Sequence, residues 1–262
     1  MESLVAGPKK GQEVLLIHSA TSWGYGFRQV IPILAEAGCH VRAVDLLGFG
    51  RSTKFADKHA LSHEMHVESL KTYLNTHDLK NTLLVVFGES LPLALNLVVS
   101  NRARFKGLVV VNGILNNQSG DYPIDAESFS DDKEAEVANI AQKLTKRHLH
   151  ENILAGYEAP YPSLEFQWGP KHLVLSMFSA ESANDSFSFG KEQADQANTA
   201  IPTWSASSSS KESLDKTNEH LQAAASFVDI KESRTYDGSG FYIEEDRGPE
   251  LAHYILDILH DD

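Results

Sequence analysis

One cysteine, Cys39, stands among 262 residues, so no disulfide can form within the chain and a reducing compartment suits it. Long apolar runs are also missing, and none reaches the roughly 20 residues that a membrane-spanning helix needs. The opening "MESLVAGPKKGQEV" has neither the basic start nor the apolar stretch of a signal peptide. A cytoplasmic protein without a membrane partner is therefore expected. Positive charge is scarce, with 23 Lys and Arg against 36 Asp and Glu and a formal net charge of −13. That balance argues against a nucleic-acid partner, because neutralising a phosphate backbone takes clustered cations. The one basic cluster, "KLTKRHLH" (143–150), reads as a solvated helix end. There is no G-x-x-x-x-G-K-[ST], no G-x-G-x-x-G after the first strand and no C-x-x-C. No cofactor and no metal are expected, and the partner is expected to be a small molecule.

What the sequence does contain is an alternation of short apolar runs with helical patterns. Its length suits one α/β domain with an insertion, or two small domains, and can bury a core without staples. Val14–Ile17, Val41–Val44, Leu83–Phe87 and Leu108–Val111 are runs of branched residues, as buried parallel strands require. Weaker strand patterning recurs at Ile201–Ala206 and Ser226–Tyr236. Val67, Leu70 and Leu74 fall on one helical face, as do Leu251, Tyr254, Ile255, Ile258 and Leu259, with Pro249 suited to a first turn. From about residue 115 the rhythm changes to a charged helical stretch carrying Val137, Ile140, Ala141 and Leu144, followed by "GYEAPYPSLEFQWGP", which predicts a helical insertion. "SASSSSKES" (205–213) reads as loop, and no internal repeat is present.

"VVFGESLPLAL" (85–95) predicts a strand that turns sharply into a helix. Gly88 and Ser90 supply half of the G-x-S-x-G of a hydrolase elbow, but Pro92 stands where the second glycine belongs.

The stretch "VLLIHSATSWGYGFRQVIPILAEAGCHVRAVDLLGFGRS" (14–52) closely resembles the N-terminal core of α/β-hydrolases, in the branch of haloalkane dehalogenases and epoxide hydrolases. His18-Ser19 stands where that family has its His-Gly oxyanion turn, and Asp45–Ser52 matches its D-x-x-G-x-G-x-S loop. The likeness continues through "DLKNTLLVV" (78–86), "RFKGLVVVNG" (104–113), the cap-like "YEAPYPS" (157–163) and "DGSGFYIEEDRGPEL" (237–251). It covers nearly the whole chain and is weakest at 115–150 and 180–215. It implies an α/β-hydrolase fold: a mostly parallel, twisted sheet flanked by helices, with a helical cap. The core is then residues 1–114 and 198–262, and the cap 115–197.

That family works through an elbow nucleophile, a histidine base and an orienting carboxylate. Counted without gaps, the nucleophile position falls on Gly88, Glu89 takes the place of a pocket tryptophan, and Ser90 becomes the small residue between helix and strand. A glycine tolerates the strained apex conformation that costs a side-chain-bearing residue about 1–3 kcal/mol. The base aligns with Gly240, and His253 lies on the polar side of the last helix. The acid aligns with Lys211, and a second acid position of this branch is Asn112. All three triad positions are thus read as vacated. The backbone around His18, Ser19 and Ala20 is expected to leave an anion-friendly hole. Glu89, Asn112, Trp23, Tyr161, Phe166 and Trp168 are expected around it. Asp45 is expected to brace its own loop with Arg51.

His59, His63 and His66 in "HALSHEMH" would share a face of one helix and could then bind zinc or nickel. The spacing is one residue short of H-E-x-x-H. The resemblance also places this stretch on the outer surface, so a surface cluster is expected.

Three functions follow from these residues. The first is non-covalent acid/base chemistry by Glu89 (proton transfer, cyclisation or elimination) on a small, largely apolar molecule, helped by Asn112. In it, Glu89 would project into the cavity with its pKa raised by desolvation, as opposed to folding back onto the backbone or Asn112. The second is a non-catalytic ligand-binding pseudoenzyme. The third is a serine hydrolase using Ser90.

Overall fold

In the computed structural model, residues 1–115, 124–178, 200–208, 217 and 219–260 are described. Seven strands form one sheet: β1 (Glu2–Ala6), β2 (Glu13–Ile17), β3 (His40–Asp45), β4 (Thr82–Phe87), β5 (Phe105–Val111), β6 (Ile201–Ser208) and β7 (Val228–Tyr236). Their order is β1-β3-β2-β4-β5-β6-β7. Every pairing is parallel except that of β1 with β3.

The branched runs become strands because both faces of the sheet are covered. Leu15, Ile17, Leu84, Val86, Leu108 and Val110 enter one apolar core. Their neighbours Val14, Leu16, Leu83, Val85, Val109 and Val111 enter a second core on the opposite face, as side-chain alternation dictates. β1 escapes a pattern search because it is an edge strand with Leu4 and Val5 partly exposed. The serines at 205–208 lie inside β6, which corrects their reading as loop: the pairing of Ser208 with Tyr236 draws them into the sheet.

Among the described residues the longer helices are α1 (Ile31–Glu36), α2 (His63–Thr76), α3 (Leu91–Ser100), α4 (Val137–Leu144), α5 (Glu151–Glu158), α6 (Trp168–Phe178) and α7 (Gly248–His260). α2 starts on Ser62, whose hydroxyl accepts the Met65 N–H at 3.1 Å, an N-cap bond. Pro92 sits in the first turn of α3, where a missing N–H costs nothing. That turn is why proline can stand in place of a glycine. α4 ends at Leu144 with Thr145 extended, so most of "KLTKRHLH" is not the expected helix end. α4 to α6 all lie between β5 and β6, in the stretch that broke the strand–helix rhythm.

The parallel strands end together at one edge. Ile17 pairs with Val44 and Val86, Phe87 with Val111, and Val111 with Ala206. His18, Gly88 and Asn112 each follow such an end directly, at the carboxyl edge where open α/β sheets bind ligands.

Candidate active site

The turn after β4 is the sharpest feature of this edge. Gly88 has φ +54° and is followed by a single helical turn, Gly88–Ser90, that runs into α3. A Cβ there would lie 3.1 Å from the Ser19 Cβ and 3.3 Å from the Phe241 ring. Glycine is therefore suited both to the conformation and to the space.

Glu89 is 1% exposed, and its Oε2 accepts the Ala20 N–H at 2.8 Å. The hole expected at Ala20 is therefore filled by the chain's own carboxylate, folded back onto the backbone. Ser90 is fully buried, and its Oγ donates to the His18 carbonyl at 2.6 Å. His18 supplies no base. Its Nε2 accepts the Leu46 N–H at 3.1 Å, which fixes the proton on Nδ1, 2.8 Å from the Ser19 carbonyl. Burial lowers the His18 pKa, in keeping with a neutral ring spent on the backbone.

Gly240 does not face the elbow. A Cβ on it would meet the Leu144 carbonyl oxygen at 2.3 Å, and its N–H donates to Asp246 Oδ2 at 2.7 Å. The side chain of this loop that reaches Gly88 is that of Phe241. A base acting on the elbow would have to stand where that phenyl ring is, which moves the reading by one residue. Asn112, at φ +45°, donates from Nδ2 to the Phe241 carbonyl at 2.7 Å and accepts the Ser208 N–H at 2.9 Å. It ties the ends of β5 and β6 to the loop that carries Phe241. Lys211 lies outside the described residues. His253 is exposed on α7.

The expected aromatic lining divides. Trp23 spans core and insertion, donating from Nε1 to the Gly156 carbonyl at 3.2 Å and stacking on Tyr25. Tyr161 is buried, and burial raises its hydroxyl pKa. Trp168 is half-buried, with the Lys171 ammonium 5.2 Å from its ring. Phe166 is 39% exposed and is not a buried lining residue. It sits on the short turn Leu164–Gln167, which points Gln167 inward to accept the Ala135 N–H at 2.7 Å. Asp45 behaves as expected: it accepts N–H groups of Gly24 and Arg51 at 2.8 and 3.0 Å and pairs with the Arg51 guanidinium at 2.8 Å.

One constellation escaped the sequence reading and another lies elsewhere than that reading put it. The first is centred on Glu245, whose carboxylate is wholly buried. It takes both Arg28 guanidinium nitrogens at 2.5 and 2.7 Å, Arg147 at 2.9 Å and the Tyr157 hydroxyl at 2.5 Å. Burial, with the Glu245 charge beside it, pushes the Tyr157 pKa well up, which keeps the hydroxyl a donor. Arg147 belongs to the basic cluster read as solvated, and a partner from another element, invisible in a local charge pattern, explains the difference. Burial likewise holds Glu244 well above the usual carboxylate range.

The second is a set of imidazoles. His59 lies in a separate turn, whereas His63 and His66 are on α2. His66 is fully buried, with its ring 6.1 Å from that of His172 on α6, and His63 Nε2 is 2.8 Å from Asn96 Nδ2. This corrects the expected surface cluster: the insertion covers that face of α2. Among the described residues no group of three acidic, His or Cys side chains could hold a metal ion.

With the elbow, its glycine apex and the sheet order in place, the class is settled. The alpha/beta hydrolase fold family model matches residues 13–249, and the chain belongs to that family. Within it the chain is haloalkane dehalogenase-like. It is 26% identical over 261 residues to a haloalkane dehalogenase of Psychrobacter cryohalolentis, covering 97% of this chain and 86% of that one. It is 30% identical over 175 residues to one from Mycobacterium marinum, covering 65% and 59%. Among solved structures, the tetrameric haloalkane dehalogenase DpaA of Paraglaciecola agarilytica superposes with a TM-score of 0.80 at 23% identity, covering 96% and 85%. DatA of Agrobacterium tumefaciens gives 0.80 at 16% identity, covering 99% and 92%.

Proposed function

We infer that this chain holds a small, largely apolar molecule at its elbow without forming a covalent intermediate, and that Glu89 is the group placed to move a proton there. The observation that carries this reading is Gly88 at the apex with the Phe241 ring packed on it. Displacement of a halide or opening of an ester by the family's route needs an attacking oxygen at that apex and an imidazole beside it. A glycine and a phenyl ring offer neither. Ser90 is no substitute, since its proton is directed at a backbone carbonyl. Glu89 directly follows the apex, next to the point where a nucleophile would act.

The alternative is binding without turnover, as in a pseudoenzyme. It is favoured by the bond from Ala20 to Glu89, which commits one carboxylate oxygen to structure. The two readings part on Glu89→Gln. The amide oxygen can still accept the Ala20 N–H, so a binder keeps its ligand affinity, whereas an acid/base enzyme loses turnover.

The covalent route is tested by supplying what is missing. The wild type is expected to release no halide from short bromoalkanes, and Gly88→Asp combined with Phe241→His is expected to begin doing so. Halide release by the unaltered protein at a rate that Glu89→Gln leaves intact would overturn the inference.

A further inference from the structure

A cleft of about 790 Å³ lies at the opposite edge of the sheet from the elbow, within the size range of small-molecule sites. Its walls are the turn that precedes β2 and the 77–81 segment between α2 and β4, with the first residues of β2 and β3 behind them. Lys9, Lys10, Arg42 and Lys80 line it, against two carboxylates, Glu13 and Asp78. Four cations against two anions is a reversal of sign in a chain whose net charge is −13.

Both carboxylates are already engaged. Glu13 pairs with Arg42 at 2.7 Å, which fixes that guanidinium, and Asp78 pairs with Lys80 at 2.8 Å. Lys9 and Lys10 are exposed and form no ion pair among the described residues. The walls are held together, since Gln12 Nε2 donates to the Asn81 carbonyl at 2.7 Å. Asp78 and Asn81 adopt φ of +47° and +50°, two of only three positive values at non-glycine residues among those described. A bent, tied loop thus carries Lys80 on the same cleft as the lysine pair. His40, 6% exposed, closes the back of the cleft.

We propose that this cleft is a binding site for a compact multivalent anion carrying phosphate or carboxylate groups, distinct from the elbow. Several ammonium groups and a fixed guanidinium lining one concave surface favour two or more negative charges close together. The net negative charge of the chain repels such ligands elsewhere and so favours their approach to this basic cleft.

The test is isothermal titration of the full chain with pyrophosphate and with citrate, at constant ionic strength held with NaCl. Saturable binding by at least one probe is expected, weakened about tenfold or more in Lys10→Ala/Lys80→Ala. These are exposed side chains, and an unchanged ligand-free Tm verifies that the variant folds. Glu89→Gln should bind as the wild type does, which separates this site from the elbow. Binding of both probes assigns recognition to charge density, and binding of one assigns the chemistry. No saturable heat with either probe, or equal affinity in the lysine variant, overturns the proposal.

Discussion

Glu89 and Ala20, 69 residues apart in the chain, are joined by one hydrogen bond of 2.8 Å from the Ala20 N–H to Oε2. This bond links the turn after β2 to the turn after β4, the two pieces that face each other across the elbow. Removing the acceptor while keeping the backbone leaves a buried N–H without it, at about 1–3 kcal/mol. Glu89→Ala is accordingly expected to lower the urea midpoint clearly, and Glu89→Gln to change it little. Equal losses in the two variants would show that charge, not the bond to Ala20, is what matters.

Ser90 is expected to resist a fluorophosphonate probe, because its proton is directed at the His18 carbonyl and no imidazole is bonded to it. Ser90→Ala removes one buried hydrogen bond, worth about 1 kcal/mol of stability, and should leave any ligand binding at the elbow unaltered. Mass-spectrometric detection of a Ser90 adduct would restore the serine-hydrolase reading.

Glu245 is the fastener between the core residue Arg28 and the insertion residues Arg147 and Tyr157. Deleting one partner of a buried ionic cluster strands the others, typically at about 3–5 kcal/mol. Glu245→Leu should therefore lower the melting temperature strongly, by several degrees at about 2–4 °C per kcal/mol. It should also speed proteolysis within residues 137–178. A melting point within a degree of wild type would mean that this cluster does not hold the insertion down.

Acid sensitivity should come from the buried imidazoles. Burial, with like charge from His172, His63 and His18 around it, lowers the pKa of His66 to about 3, and burial lowers that of His63 to about 4 despite the neighbouring Glu64. The unfolded value is about 6.5, so between there and the folded values the unfolded chain binds more protons. The stability from keeping these rings neutral is whole above pH 6.5 and drains away as pH falls towards 4 and then 3. The slope is on the order of 1 kcal/mol per pH unit for each ring. Urea titrations from pH 7 to 5 should show this fall, and His66→Leu should flatten it. An identical slope in the variant would remove His66 from the account.

Gly240→Ala tests the close contact of its loop with α4. A methyl group 2.3 Å from the Leu144 oxygen must displace backbone, at a cost of about 1–3 kcal/mol. Melting of the purified variant measures it.

The strands β2 to β5 were legible from sequence because strands buried on both faces leave nothing to local context: every residue of β4 is buried, and the run Thr82–Phe87 shows it. Gly88 could be placed at the apex because the flanking segments count to it without gaps and its backbone is one that glycine adopts freely. Which residue of the 239–242 loop faces the elbow was not legible, since a shift of one residue exchanges Gly240 for Phe241 and the register is set by contacts with Leu144, Asp246 and Asn112. Nor could the burial of His66 or the partnership of Arg147 with Glu245 be read. Both depend on elements far apart in the chain, and a charge or an imidazole has no periodicity to announce its partner. Sequence by itself determined the sheet core, through hydrophobic alternation, and put at position 88 a glycine whose conformational range suits the turn found there. The tertiary structure decided where the polar side chains go, because a buried polar group is defined by whatever the packing brings within hydrogen-bond reach of it.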